Sequence, residues 1–278
     1  MQKRRKAKRR RYRQIAVLTF FMGVLVLLYP FAAEQLNSMR QTQTVDGYIS
    51  QVQTLTEEEK QRLWEEAETY NKKLKNNGVV MTEPFDAETE RMTKEEYLHC
   101  LNVEENGMMS YLDIPSIKVH LPVYHTTTCE VLAKAVGHIR GTSLPVGGEG
   151  THCVLSAHTG VAGNRLFTDL TEVKIGDMFA ITTFDKTLVY RVYQIETVLP
   201  DHTESLVIQE GKDLCTLVTC TPYGINTHRL LVHGVRVQNQ EPVEEEQKRI
   251  GRRTVLFWGI LSGTALMIVV VIIRKKLQ

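Results

Sequence analysis

Residues 15–33, IAVLTFFMGVLVLLYPFAA, hold no charged side chain, and nine lysines and arginines crowd into residues 3–13 directly before them. As a helix, nineteen residues rise about 28 Å, close to the thickness of a bilayer core. A basic run of this density could bind nucleic acid, but beside an apolar span it reads as a cytoplasmic anchor under the positive-inside rule. A cleaved signal peptide shares the same outline. The apolar stretch is long for one, and Tyr29-Pro30-Phe31 makes a poor cleavage site, so the reading is an uncleaved anchor.

A second charge-free run, residues 254–273, ends in Arg274-Lys275-Lys276 and is also long enough to span. Lys248, Arg249, Arg252 and Arg253 precede it, so its own flanks do not choose a direction, and the larger N-terminal cluster sets the topology. The expected organisation is a basic cytoplasmic tail (1–14), an anchor (15–33), an extracellular helical region with a loop (34–108) and a β domain (109–240). A linker (241–253), a second transmembrane helix (254–273) and a short cytoplasmic tail (274–278) complete it. The expected location is the cell membrane with the large domain outside, the bilayer as a partner and no nucleic acid. The net charge of +2 conceals this division, since removing the nine basic residues of the tail leaves 25 basic against 32 acidic side chains.

Five cysteines stand at 100, 129, 153, 215 and 220, with no Cys-x-x-Cys pair. Neither a zinc site nor a disulfide scaffold fits that spacing, and an odd number leaves at least one thiol to explain. Residues 45–76 read as helix, with a capping box at Thr56 and Glu59 and apolar residues at helical spacing from Leu63 to Leu74. Residues 79–102 are acidic, contain Pro84 and read as a loop. From Met109 short apolar runs alternate with turn signals. Pro115 and Pro122 suit edges or bulges, residues 130–136 a short helix, and residues 177–199 a hairpin turning at Asp185-Lys186. Many short strands with little helix among them argue for a mainly β chain closed, or nearly closed, into a barrel that removes exposed edges.

The segment TLVTCTPYGINTHRLLVHGVRV, residues 216–237, carries the chemistry. Cys220 closes one apolar run, a loop with Pro222 and Gly224 follows, and Arg229 opens the next run nine residues after the cysteine. Antiparallel pairing puts both at one rim, where a cation favours an accessible thiolate and a guanidinium can steady an oxyanion. His158, where the apolar run THCVLSAHTG exits, is the best of nine histidines to carry a proton. His228 neighbours Arg229 and so points to the opposite face, as does Cys215, five residues from Cys220, and Cys215 reads as buried. On residue types alone, a cysteine closing a strand is more often a small core residue.

The sequence TLVTC with Arg229 beyond it and His158 in LSAHTG resembles the signature of sortases, the membrane-bound cysteine transpeptidases of Gram-positive bacteria. The longer stretches GHIRGTSLPVGGEGTHCVLSAHTG and CTPYGINTHRLLVHG are similar to the pilus-assembling, class C, sortases. The resemblance implies a sortase-type barrel of about eight strands with N-terminal helices between two transmembrane segments. It implies Cys220 as nucleophile, His158 as proton carrier and Arg229 as the group that orients substrate and stabilises charge, acting on an LPxTG-like signal and passing the acyl group to a pilin lysine. Pilin or surface proteins bearing such a signal are the implied partners, and no metal or organic cofactor is needed. Pilus-type sortases commonly carry a lid with an Asp-Pro-aromatic motif, and the corresponding residues are Glu83, Pro84 and Phe85, with a longer acid in first place. The alternatives are attachment of surface proteins to a cell-wall precursor, a hydrolytic cysteine peptidase, or a non-enzymatic membrane-tethered binding barrel.

Overall fold

The structure is a computed structural model that describes residues 2–77, 94–103, 106–161 and 163–237. The second apolar run, residues 254–273, lies outside the described residues, as does the motif at Glu83, Pro84 and Phe85.

The apolar run opens into one long helix, α1 (Gln2–Val52), which passes through Pro30 without breaking. It contains a stretch apolar enough to cross a bilayer, none of which is buried in the protein. Beyond the run the helix changes character. Val45, Tyr48 and Val52, on one stripe, are all buried against the domain. The region read as a single helix over 45–76 is two helices, because α1 ends at Val52 and α2 (Glu57–Asn77) starts afresh. The capping box is the reason for the restart. The Glu59 N–H donates to Thr56 Oγ1 at 3.2 Å, and the Thr56 N–H donates to Glu59 Oε2 at 2.8 Å.

The stretch read as a loop over 79–102 contains a short helix, α3 (Lys94–His99). Tyr97, Cys100 and Leu101, spaced i, i+3, i+4, are buried, and the Tyr97 hydroxyl meets His138 Nδ1 at 3.0 Å. Tertiary burial, rather than local propensity, holds this six-residue helix.

Eight strands form a closed barrel: β1 (Met108–Ile114), β2 (Val119–His125), β3 (Val136–His138), β4 (Thr151–Ser156), β5 (Met178–Thr183), β6 (Lys186–Val198), β7 (Asp213–Thr221) and β8 (His228–Arg236). Their order around the barrel is β1-β2-β3-β4-β7-β8-β6-β5. The β2/β3 and β4/β7 pairs are parallel and the others antiparallel. The expected short helix is α4 (Cys129–Leu132): it starts one residue earlier, because Thr128 caps it by accepting from the Val131 N–H, and stops four residues short, because Val136 already belongs to β3. Pro115 begins a 3-10 turn between β1 and β2. Pro122 lies within β2, but β3 first pairs with that strand at Val123, so Pro122 has a ladder partner on one side only.

The β5–β6 hairpin turns one residue earlier than its polar residues suggest. Thr183 pairs with Lys186, leaving Phe184 and Asp185 as the turn. Phe184 takes φ 53°, is buried, and donates its N–H to the Tyr48 hydroxyl of α1 at 3.0 Å. Core burial of the phenyl ring outweighs the preference for a small polar residue at that φ.

Alternation along the strands divides the apolar residues between two faces. Cys153, Leu155, Cys215, Leu217, Leu230 and Val232 belong to the main core, where Phe179 stacks on Tyr190. Val154, Val218 and Leu231 point the other way, into a smaller cluster with Ile139 and Leu206. Cys220 has the parity of Val218, and Arg229 that of Leu231. The barrel is the scaffold, and the second face carries the candidate site.

Candidate active site

Cys220 and Arg229 are direct cross-strand partners in the β7/β8 ladder, with Val218↔Leu231 and Thr216↔His233 behind them on the same face. Such antiparallel partners hold their Cβ atoms about 4.5–5.5 Å apart, within reach of a guanidinium. Both side chains are half-buried, so the rim is open at this point. The Arg229 Nη1 donates to the carbonyls of Asn226 and His228, each at 3.2 Å. These contacts fasten the guanidinium to the backbone of its own loop.

His158 arrives by a different route. β4 runs parallel to β7 with Val154↔Thr216 and Ser156↔Val218, and His158 follows two residues beyond the last of these pairs, at the same end of the two strands as Cys220. The local hydrogen bonds continue the approach. The Ala157 N–H donates to the Val218 carbonyl at 3.2 Å, and the Thr219 hydroxyl donates to the Ala157 carbonyl at 2.8 Å. The Phe167 N–H then donates to the His158 carbonyl at 3.1 Å, tying down the far side of the loop. The ends of β4 and β7 and the start of β8 therefore meet at one rim. Burial lowers the His158 pKa below the ordinary imidazole value. A neutral ring of this kind can accept a proton from a thiol.

The other sequence candidates are placed elsewhere. His228 lies across from Thr221 and meets the Thr227 hydroxyl at 2.9 Å. Cys215 is fully buried opposite Cys153 inside the barrel, and burial raises its thiol well above the usual range. All five cysteines are free thiols, Cys129 exposed and Cys220 half-buried among them.

Sequence reasoning missed several residues that shape the rim. Tyr223 lies across Gly160, where an added Cβ would come within 3.0 Å of its ring. Thr219 and Phe167 hold the His158 loop without any periodic signal to mark them.

Behind Cys220 on the same face runs a buried polar chain. His152 Nδ1 meets the Val207 carbonyl at 2.9 Å and its Nε2 the Thr216 hydroxyl at 2.7 Å. That hydroxyl meets His233 Nδ1 at 2.8 Å, and His233 Nε2 meets Glu196 at 3.1 Å. Burial holds the His152 pKa down at about 4, against 6.5 for a free imidazole. The unfolded chain thus binds a proton that the folded ring refuses. This contribution to stability is complete above pH 6.5 and is lost as pH falls from there towards 4. The loss is on the order of 3 kcal/mol. Thermal unfolding followed across that interval should show a falling Tm, with a shallower fall in His152→Gln.

A Sortase domain family model matches residues 112–237. Sortase D of Bacillus subtilis (strain 168) is 29% identical over 137 residues, 48% of this chain and 66% of that protein. Sortase A of Bacillus anthracis is 28% identical over 133 residues, 48% of this chain and 61% of that protein. The matched stretch thus spans a little under two thirds of these curated relatives. Several solved structures match over all or nearly all of their length. Sortase C1 of Streptococcus agalactiae is 41% identical with TM-score 0.66, covering 71% of this chain and 100% of that one. A sortase C of Streptococcus pneumoniae is 37% identical with TM-score 0.65, covering 72% and 100%. Sortase C-1 of Actinomyces oris is 42% identical with TM-score 0.59, covering 65% and 99%.

Proposed function

This chain belongs to the sortase family, and on that premise we propose that it is a membrane-anchored cysteine transpeptidase that cuts an LPxTG-like sorting signal and joins the acyl fragment to a pilin lysine. The observation that carries the reading is the pairing of Cys220 with Arg229 on one face, beside the β4 exit that ends in His158.

The chemistry divides into two acyl transfers. In the first, Cys220 Sγ attacks the threonine carbonyl of the signal while His158 takes the thiol proton. The C–N bond breaks, His158 delivers that proton to the departing glycine amine, and a thioester to Cys220 remains. In the second, a lysine Nζ attacks the thioester, His158 accepts its proton, and the C–S bond breaks. The proton returns to Sγ and an isopeptide bond is left. Arg229 donates to the carbonyl oxygen as it gathers negative charge in both steps. The low pKa of His158 suits a cycle that begins from a neutral imidazole.

The pilin acceptor is inferred from the class C relatives, among them the Streptococcus pneumoniae enzyme studied for pilin substrate specificity. Residues 83–85 are proposed as a lid on the resemblance alone. The apolar run of α1 is proposed as the anchor that concentrates the enzyme beside substrates held by their own membrane tails.

The full chain incubated with one protein bearing the signal and a second bearing exposed lysines should yield a single joined product. Peptide mapping should find the threonine carboxyl in amide linkage to a lysine Nζ, with the C-terminal fragment released. A product ending in a free threonine carboxylate would mark a peptidase instead, and intact substrate would oppose an enzyme of either kind.

A further inference from the structure

The charge-free run ends at Ala33, and the next residue, Glu34, is charged. At this point α1 meets the loop that leaves His158. Ala33 is packed so closely on Gly163 that a Cβ there would lie 2.9 Å from the alanine methyl. Asn37 Nδ2 donates to the Gly163 carbonyl at 2.7 Å, Gln41 Nε2 donates to Asn164 Oδ1 at 2.9 Å, and Arg165 Nε pairs with Glu34 at 3.3 Å. The first turns of α1 beyond its apolar run therefore grip the loop that continues from His158.

Gly160 is three residues back along that loop, at most about 11 Å of chain from Gly163. Tyr223 rests against it. Tyr223 belongs to the β7–β8 connection, residues 222–227, which contains no charged side chain (PYGINT). Tyr223 and Ile225 are each 68% exposed, among the most exposed large hydrophobic residues of the domain. Single exposed apolar residues are ordinary on a protein surface. Here two of them stand on an uncharged loop, one contact away from the loop that touches the end of an apolar span.

We infer that residues 222–227 dip into the lipid headgroup layer, with Tyr223 and Ile225 as the side chains in contact, so that the Cys220–Arg229 rim opens onto the membrane surface. The headgroup region adds about 5–7 Å to each side of the bilayer core, a depth that a loop held this near Ala33 can reach. Tyrosine suits that layer, with its ring among acyl chains and its hydroxyl among headgroups. The inference deepens the proposed function and rests on reading the α1 run as membrane-spanning. It makes the preferred substrate one whose sorting signal lies at the bilayer surface, next to its own apolar tail.

The test places a tryptophan at each of three positions in the full chain, reconstituted in phosphatidylglycerol–phosphatidylcholine vesicles whose acyl chains are brominated near the headgroup or left unbrominated. Tyr223→Trp reports the loop, Phe31→Trp the apolar run, and Glu149→Trp the opposite end of the barrel, just before β4. Emission beyond that of the parent chain is compared between the two lipids. The expected result is strong loss of added emission for Tyr223→Trp and Phe31→Trp, with none for Glu149→Trp. If Phe31→Trp is quenched while Tyr223→Trp behaves like Glu149→Trp, the anchor stands and the inference is overturned. If Phe31→Trp is not quenched, the anchor reading fails and takes the inference with it. Because the readout is location, neither result depends on whether the chain transfers acyl groups.

Discussion

Replacing Cys220 with alanine is expected to cut acyl transfer by on the order of 10⁴-fold or more while leaving the fold intact. The loss is large because no other thiol can substitute. Cys153 and Cys215 are sealed in the barrel, and Cys100 is buried beside α3 with its thiol pushed up to about 11 by burial. Cys129 is exposed but lies on α4 and has no place in the β7/β8 ladder that pairs Cys220 with Arg229. Stability should change little, because Cys220 is half-buried at a strand end and alanine preserves the backbone ladder to Arg229. Initial rates of joined product, read beside thermal unfolding of the same preparation, check both halves. A variant that lost activity together with several degrees of Tm would point to a structural role instead.

The second large effect is expected at Arg229. Removing a donor aimed at a developing oxyanion typically costs about 10²–10³ in kcat, and Arg229→Ala should fall in that range. Arg229→Lys should recover little of it. Two of the guanidinium contacts go from one nitrogen to the Asn226 and His228 carbonyls, and a lysine cannot hold that geometry while also presenting a donor to substrate. Comparing kcat with KM separates the roles: an orienting arginine raises KM alone, whereas one that stabilises the oxyanion lowers kcat. Retention of full kcat by Arg229→Lys would leave the residue a binding charge.

Much of this architecture was legible wherever neighbours in sequence are neighbours in space. The strand-loop-strand from Asp213 to Arg236, the burial of Cys215 and the box at Thr56 and Glu59 follow from period-two alternation and local hydrogen bonding, and the structure has all three. The misreadings share a cause. α3 is too short to announce itself and exists because Tyr97 and Leu101 find a core to fill. The hairpin turns at Phe184 because Tyr48, over a hundred residues earlier, receives its N–H. The continuity of α1 from its apolar run to Val52 was hidden by the change from lipid-like to amphipathic composition.

The site divides along the same line. Cys220 and Arg229 could be set opposite each other from the spacing of one hairpin. His158 stood out because an apolar run exits there, and the family resemblance added weight to it, but nothing in its spacing revealed that β4 pairs in parallel with β7. The contacts of Thr219 and Tyr223 with the His158 loop belong to tertiary structure alone.

The central claim is that Cys220 becomes the covalent carrier of the substrate. Intact-mass measurement of the full chain after incubation with an LPxTG-like peptide tests it most directly, with Cys220→Ala in parallel. The account predicts an added mass equal to the peptide's acyl fragment ending in threonine, mapped to Cys220, discharged by hydroxylamine as a thioester and absent from the variant. An adduct on Cys129 that persists in Cys220→Ala, or none on any cysteine when the signal is supplied on a whole protein, would contradict it.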